Sequence, residues 1–241
     1  MNTIPYRAAG AKTVAHRGVS GLERENTMAA FIAAGNRSHF GIETDVHRTR
    51  DGRFVVFHDD SALRLSGKDL VMEDTDFDVL RALPLSDRDG VFGRTDLRIP
   101  TLEEYIGVCR RYGKTAVLEL KNRIPDEDVV RIVGIIRDLG WLPNVIFISF
   151  DLENLVTLRR LLPEQKLQYL VEETGEELLE TLLREKLDLD ILYTALTEEW
   201  VRRFLAAGIE INCWTCDDPG AAERLAAWGV QYVTSNILEG V

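Results

Sequence analysis

IEINCWTCDDPGAAERLAAWGVQYVT, residues 209–234, predicts a strand, a helix and a second strand in immediate succession. Its ends, 209–214 and 231–234, are rich in β-branched and aromatic residues, whereas 219–228 has the apolar spacing of an amphipathic helix. Gly229 follows that helix at the position where a C-cap glycine is expected. Two strands joined through a helix form a βαβ unit, in which the strands run parallel.

The same alternation of apolar strands and amphipathic helices extends back to the start of the chain. Further strands are predicted at residues 13–16, 42–46, 116–120, 145–149, 167–171 and 189–193. Further helices are predicted at residues 26–34, 102–111, 126–139, 152–161, 176–185 and 198–207. Eight strands alternating with helices favour an α/β fold of the closed (β/α)8 TIM-barrel type over an open doubly wound sheet. Because one such barrel needs roughly 250 residues, we expect a single domain spanning residues 1–241.

A hairpin and a long insertion interrupt this alternation after the second strand. Residues 53–58 follow the turn signal Asp51-Gly52 and are predicted to pair with that strand. Residues 60–100 then mix charge, glycine and a few apolar residues over a length well above the roughly 2–6 residues of an ordinary connection. We expect a small inserted lid or subdomain, with a merely decorative insertion as the alternative.

The charge and composition of the chain restrict its partners. With 29 basic and 40 acidic residues the formal charge is −11, which disfavours general binding to nucleic acid or to anionic membranes. Residues 1–18 lack a signal-peptide pattern and no stretch approaches about 18 unbroken apolar residues, so we expect a cytoplasmic enzyme without stable membrane insertion. Three cysteines are too few for a disulfide framework. The sequence leaves a homodimer open.

Three carboxylates and one ammonium are predicted to share the mouth of the barrel. Side chains alternate along a strand, so Glu43 and Asp45 project to one face, as do Glu119 and Lys121. Clustered carboxylates repel one another and are costly to bury unless they are paired or bound to a cation. An all-oxygen set of Glu43, Asp45 and Glu119 favours Mg²⁺ or Ca²⁺ over zinc. The alternative is a structural ion-pair network of these carboxylates with Lys121 and nearby arginines.

Two histidines are predicted at the same rim of the barrel. His16 and His58 fall at the ends of predicted strands that open on the face where barrel enzymes collect their catalytic groups. An imidazole gives or takes a proton near neutral pH, so the pair can act as base and acid in one displacement. Arg17 and Gly18 follow His16 directly, and a guanidinium beside a flexible turn suits a phosphate.

Several motifs in a fixed order give the chain a resemblance to a known family. The motifs are HRG at 16–18, ENT at 25–27, IETDVHRTRDG at 42–52, VVFHD at 55–59, IPTLEE at 99–104, LELK at 118–121 and CWTCDD at 213–218. In this combination and spacing the chain resembles the glycerophosphodiester phosphodiesterase family over essentially its whole length. Two positions depart from the family pattern: Arg24 stands where a proline is usual, and the TSN sequence at 234–236 replaces a frequent Thr-Asp pair. These departures put the shape of the substrate pocket in question more than the reaction.

The resemblance implies an enzyme that hydrolyses glycerophosphodiesters, small-molecule substrates, to glycerol 3-phosphate and an alcohol through a cyclic phosphate. It implies a (β/α)8 barrel with an insertion after the second strand and one divalent metal ion, Mg²⁺ or Ca²⁺. The implied site residues are His16 as base, His58 as acid, Glu43, Asp45 and Glu119 as metal ligands, and Arg17 and Lys121 as phosphate contacts. Trp214 matches an aromatic residue that lines the family's site, although a core tryptophan is an equally reasonable interpretation.

Two other functions remain open at this point. A phospholipase C- or D-like barrel acting on a lysophospholipid or phosphoinositide would use the same residues, but the charged insertion at 60–100 favours a water-soluble head-group diester. A non-catalytic phosphate-binding barrel is the other alternative, and the presence of His16, His58 and all three carboxylates argues against it.

Overall fold

Eight parallel strands close into a barrel in the computed structural model, which describes residues 2–241. In chain order the strands are β1 (Ile4–Tyr6), β2 (Lys12–Ala15), β3 (Gly41–Arg48), β4 (Phe54–Val56), β5 (Thr115–Leu120), β6 (Val145–Ser149), β7 (Leu167–Val171), β8 (Asp188–Leu192), β9 (Ile211–Trp214), β10 (Tyr232–Ser235) and β11 (Leu238–Gly240). Pairing runs in the order β2, β3, β5, β6, β7, β8, β9, β10, and β10 pairs with β2 to close the ring. The predicted TIM barrel is confirmed.

Helices connect the barrel strands and cover the outside of the ring. They are α1 (Met28–Gly35), α2 (Leu63–Ser66), α3 (Phe77–Arg81), α4 (Leu102–Tyr112), α5 (Asp126–Asp138), α6 (Leu152–Leu161), α7 (Glu176–Glu185), α8 (Glu198–Ala206) and α9 (Pro219–Trp228). Their starts follow from local sequence: Thr101 and Glu104 form a reciprocal capping box for α4, and Asp218 caps α9. The outward faces of the strands, including Ile42, Leu118 and Phe147, pack under these helices in one apolar core.

The inward faces of the strands fill the barrel with apolar side chains at one level and polar ones nearer the rim. Val14, Val117, Ile146, Ile148, Leu170 and Tyr232 form an apolar cluster inside the ring. Along β3 and β5, Glu43 pairs in register with Val117 and Asp45 with Glu119. Because the strands are parallel, their carboxyl ends meet at the same rim, so this register brings the acidic side chains of two strands together.

The predicted hairpin and insertion are present between β3 and α4. β4 pairs antiparallel with β3, with Val46 opposite Val56. The following segment carries α2 and α3 and has an apolar cluster of its own, which includes Phe57, Leu65 and Met72. The insertion therefore packs as an ordered unit on the rim of the barrel. No helix within residues 2–241 is both long and apolar enough to cross a membrane.

Candidate active site

A cavity at the carboxyl ends of the strands gathers most of the predicted site residues. It is lined by His16, Arg17, Glu43, His58, Glu119, Ile148, Phe150, Leu170, Asp190, Trp214 and Thr234. These side chains come from strands and loops that are far apart in sequence, and the closed ring brings them together. The cavity therefore lies at the rim of the barrel where the catalytic groups are predicted.

The three predicted metal ligands form a compact buried cluster. One carboxylate oxygen from each of Glu43, Asp45 and Glu119 lies within 4.8 Å of the others, and the residues are only 3%, 1% and 7% exposed. The Lys121 ammonium lies 2.9 Å from Glu119 Oε1 and 3.7 Å from Asp45 Oδ1. The backbone N–H of Arg17 donates to Glu43 Oε2 at 2.8 Å.

The pKa values of these carboxyls indicate that Arg17 and Lys121 do not fully neutralise the negative charge of the cluster. Burial and the neighbouring Asp45 raise the pKa of Glu119 to about 8, against the lowering effect of Lys121, and the same two causes raise the pKa of Glu43 well above its ordinary value. Burial opposes ionisation of Asp45 as well, but Arg17 and Lys121 hold its pKa below the usual range. A cation bound among these oxygens would remove the cause of the raised values. The all-oxygen donor set therefore fits a hard divalent ion.

His16 is held by a chain of hydrogen bonds on the side of its ring opposite the carboxylates. Its Nδ1 lies 2.7 Å from Asn236 Oδ1, and Asn236 Nδ2 donates to Asp217 Oδ2 at 2.7 Å. The other ring nitrogen, Nε2, lies 4.0 Å from Glu43 Oε2. Burial and the charge of Arg17 lower the pKa of His16 to about 4, so the ring is neutral at pH 7.

His58 has a different environment, because its partner is a carboxylate. Its Nδ1 lies 2.8 Å from Asp59 Oδ1, and the Arg64 guanidinium donates to both oxygens of Asp59 at 2.6 and 2.9 Å. Burial lowers the pKa of His58, whereas Asp45 and Asp59 act in the opposite direction. Arg64 and His58 overcome the effect of burial on Asp59 and lower its pKa to about 2, so it remains an anion beside the imidazole.

Arg17 lines the cavity, and its backbone conformation and a contact with Glu25 hold it there. Its backbone is in the left-handed region with φ of 52°, and Nη1 donates to Glu25 Oε1 at 2.9 Å. Its Nε is buried, has no hydrogen-bond partner in residues 2–241 and lies 3.8 Å from Asp45 Oδ2. Gly18 follows with φ of 76°, and a Cβ there would lie 2.6 Å from the carbonyl carbon of Ala30. The close approach of this turn to α1 therefore requires glycine.

The remaining two predicted substrate contacts, Lys121 and Trp214, are placed differently. Trp214 lines the cavity, packs edge to face on Phe150 with ring centroids 5.6 Å apart, and has an indole Nε1 without a hydrogen-bond partner in the described chain. Lys121 is not among the residues that line the cavity; its ammonium lies against Glu119 and Asp45 instead. Lys121 thus lies beside two of the carboxylates, and its predicted contact with a phosphate stays a prediction.

The insertion contributes residues that sequence reasoning did not identify. Arg64, at the start of α2, donates to Glu25 at 2.7 and 2.9 Å as well as to Asp59. Arg24 donates from Nε to the carbonyl oxygen of Ser86 at 2.7 Å, so the departure from the family's proline ties the loop after β2 to the insertion. The VVFHD motif places Asp59 next to His58, and Asn236 belongs to the TSN departure from the family pattern, whereas Arg64 carries no local pattern.

Comparisons of the sequence and of the structure with known proteins point to the same family. The model of the Glycerophosphoryl diester phosphodiesterase family matches residues 16–239. A glycerophosphodiester phosphodiesterase of Bacillus subtilis is 29% identical, with 93% of this chain and 83% of the relative covered, and one of Caldanaerobacter subterraneus is 27% identical, with 92% and 93% covered. Among solved structures, an Oleispira antarctica phosphodiesterase in complex with the product sn-glycerol-3-phosphate superposes with a TM-score of 0.85 at 29% identity, covering 94% and 93% of the two chains.

Proposed function

The chain belongs to the glycerophosphoryl diester phosphodiesterase family and is a phosphoric diester hydrolase, and from this premise we propose that it converts glycerophosphodiesters to glycerol 3-phosphate and an alcohol. The observation that carries the proposal is the convergence of His16, His58 and the carboxylate cluster on one cavity. The structural relative from Oleispira antarctica was solved with the product sn-glycerol-3-phosphate, which agrees with this substrate class.

The proposed cofactor is one divalent cation, Mg²⁺ or Ca²⁺, held by Glu43, Asp45 and Glu119. The burial of three carboxylates around one point and the raised pKa of Glu119 support this assignment. A cation bound there would supply positive charge that lowers the pKa of a substrate hydroxyl and offsets the charge of the phosphoryl oxygens.

His16 is proposed as the base of the first step. Asn236 Oδ1 can only accept a hydrogen bond, so the proton of the neutral imidazole lies on Nδ1 and Nε2 has its lone pair free. Nε2 takes the proton of the glycerol hydroxyl next to the phosphate ester. The resulting oxygen attacks phosphorus, the bond from phosphorus to the leaving alcohol breaks, and a cyclic phosphate forms.

His58 is proposed as the acid that protonates the departing oxygen. Burial lowers the pKa of His58, but the adjacent Asp59 carboxylate accepts from Nδ1 and opposes this lowering, whereas the partner of His16 is a neutral amide. His58 is therefore the better placed of the two histidines to carry a proton. In the second step His58 takes a proton from water, whose oxygen opens the cyclic phosphate, and His16 returns its proton to the glycerol oxygen. The Arg17 guanidinium, whose Nε makes no hydrogen bond within the described residues, is assigned to a phosphoryl oxygen.

The test is an assay of glycerol 3-phosphate release from a panel of glycerophosphodiesters that share the glycerol and differ in the alcohol. The purified enzyme is treated with chelator, and Mg²⁺ or Ca²⁺ is then returned separately. We expect release of glycerol 3-phosphate that falls to background after chelation and returns with one or both ions. Full activity after complete removal of divalent ions would contradict the assignment of the cofactor, and release of no glycerol 3-phosphate from any diester would contradict the substrate class.

A further inference from the structure

The active-site cavity contains one buried acid that the proposed reaction does not use. Asp190 lies on β8, is 2% exposed and lines the cavity together with the catalytic histidines. Its Oδ2 accepts a hydrogen bond from Asn212 Nδ2 at 3.2 Å. Its Oδ1 is buried and has no hydrogen-bond partner in the part of the chain that the structure describes.

The neighbours of Asp190 hold it in this position. Asn212 lies opposite Asp190 on β9, and its Nδ2 also approaches Gln168 Oε1 at 3.3 Å. The hydroxyl of Thr234 donates to Asn212 Oδ1 at 3.0 Å. This network uses one oxygen of Asp190 and leaves the other at the cavity. Leaving a buried polar atom unpaired costs about 1–3 kcal/mol, so a bound molecule that forms a hydrogen bond with this oxygen would be stabilised there.

The surroundings of the free oxygen indicate what kind of group it would bind. Ile148, Leu170 and Trp214 line the same cavity, and apolar side chains of this kind favour an uncharged group over a charged one. Asp190 is 2% exposed, and burying an ammonium ligand beside it would cost more free energy than burying a neutral group that forms a hydrogen bond. A hydroxyl can donate to a carboxyl oxygen or accept from its O–H, so it suits this position in either protonation state.

We propose that Asp190 is a specificity-determining residue whose free carboxyl oxygen binds the terminal hydroxyl of the substrate's glycerol. The inference rests on the proposed function, in which the middle hydroxyl of glycerol is the nucleophile and the terminal one has no assigned partner. A substrate that carries an acyl chain on that oxygen has no O–H to offer to Asp190. Asp190 thus selects fully deacylated glycerophosphodiesters over lysophospholipids.

The test compares two diesters that have the same leaving alcohol, ethanolamine. One contains glycerol and the other contains propane-1,2-diol, which keeps the attacking hydroxyl and lacks the terminal one. For the unmodified enzyme we expect kcat/KM to be about 10- to 100-fold higher for the glycerol diester, because a site built for a hydroxyl rejects the analogue that lacks it. Asp190→Leu should remove most of this preference by lowering kcat/KM for the glycerol diester alone. Asp190→Asn, which keeps a hydrogen-bonding group, should retain it.

A matched control and a binding measurement complete the test. Asp188→Asn changes a carboxylate of the same strand that does not line the cavity, so the preference should be unchanged. Calorimetry should show that glycerol 3-phosphate binds more tightly than propane-1,2-diol 1-phosphate to the unmodified enzyme and to Asp190→Asn but not to Asp190→Ala, a smaller change that decides the role of Asp190 even if Asp190→Leu does not fold. Equal kcat/KM for both diesters, or a proportional loss on both in Asp190→Leu, would overturn the inference. Hydrolysis of neither diester would contradict the proposed function, and the calorimetric comparison would still decide the role of Asp190.

Discussion

Nδ1 of His16 lies 2.7 Å from Oδ1 of Asn236, and this contact fixes which nitrogen of the imidazole faces the carboxylate cluster. Asp217 orients the amide, because its carboxylate accepts from Asn236 Nδ2 at 2.7 Å and its other oxygen accepts from the Asn236 backbone N–H at 2.8 Å. The amide oxygen must then point to His16, so the proton of the neutral ring lies on Nδ1. The base is thereby prepared before substrate arrives.

Replacing Asn236 by Ala should lower kcat while changing KM little. The substitution removes the acceptor that selects the productive form of His16, and we expect a loss of about 10- to 100-fold, part of the 10²–10⁴ that acid-base catalysis contributes. Asn236→Asp keeps the acceptor and adds a negative charge that raises the pKa of His16, so activity should be restored in part and the acidic limb of the kcat/KM profile should move to higher pH. An unchanged kcat in Asn236→Ala would show that this contact has no part in catalysis.

Replacing Arg64 by Met should lower the free energy of unfolding at neutral pH and make that free energy depend less on pH between pH 7 and pH 2. Burial alone would raise the pKa of Glu25, but Arg64 and Arg17 reverse this and hold it at about 2; Asp59 is likewise held at about 2. A depressed folded-state pKa contributes stability that is present above the unfolded value of about 4 and is lost as pH falls through about 2.

Thermal unfolding measured from pH 7 to pH 2 checks this expectation for Arg64. At pH 7 we expect Arg64→Met to lose about 1 kcal/mol, since the pairs are bidentate but partly exposed. The control is Arg50→Met, which removes another bidentate pair, with Asp76, that lies in solvent away from the site. Equal pH dependence in the unmodified protein and Arg64→Met would refute the role given to Arg64.

Replacing Glu119 by Gln should weaken divalent-cation binding without unfolding the barrel. The pKa of about 8 for the Glu119 carboxyl means that a proton has to leave when a cation binds. Between pH 8 and pH 6 the affinity of the unmodified protein for Ca²⁺ or Mg²⁺ should therefore fall, by up to about tenfold per pH unit for one proton. Calorimetry in buffers of different ionisation enthalpy measures both the affinity and the proton release. Asp188→Asn, outside the cluster, should bind as the unmodified protein does, and unchanged affinity in Glu119→Gln would contradict the ligand assignment.

Replacing Gly18 by Ala should cost more than the same change at Gly10. Both glycines have positive φ, 76° and 96°, but a Cβ at Gly18 would lie 2.6 Å from Ala30, whereas Gly10 has open space. Denaturant titration should give a loss of about 1 kcal/mol at Gly10 and about 2–4 kcal/mol at Gly18, where steric overlap adds to the backbone strain. Equal losses at the two positions would mean that the turn after His16 does not press on α1.

The barrel could be predicted because each strand and helix carries its own local pattern. The eight predicted barrel strands overlap β2, β3 and β5 to β10, and the hairpin was signalled by Asp51-Gly52. The pairing of β1 with β11 was not predicted, since it joins three-residue segments from opposite ends of the chain that have no periodicity to detect. Short strands of this kind are determined by tertiary contacts.

The site was predictable to the extent that alternation and strand ends determine where side chains point. Glu43, Asp45 and Glu119 could be grouped because they alternate on neighbouring strands. The contact of Asn236 with His16 spans 220 residues, and that of Arg64 with Glu25 depends on how the insertion folds onto the rim, so local sequence predicts neither contact. Lys121 lies beside Glu119 and Asp45, and its predicted contact with the phosphate stays a prediction.

The assignment of His16 as base and His58 as acid is tested most directly by varying the leaving group. Release of p-nitrophenol from glycerol p-nitrophenyl phosphate needs no protonation of the departing oxygen, whereas release of ethanolamine from its glycerol diester does. We expect single-turnover rates in His58→Ala to fall by more than about 100-fold for ethanolamine release and by less than about tenfold for p-nitrophenol release. In His16→Ala we expect both rates to fall by more than about 100-fold while the protein still binds Ca²⁺ or Mg²⁺. Near-normal rates in His16→Ala, or equal losses on both substrates in His58→Ala, would refute the roles assigned to the two histidines.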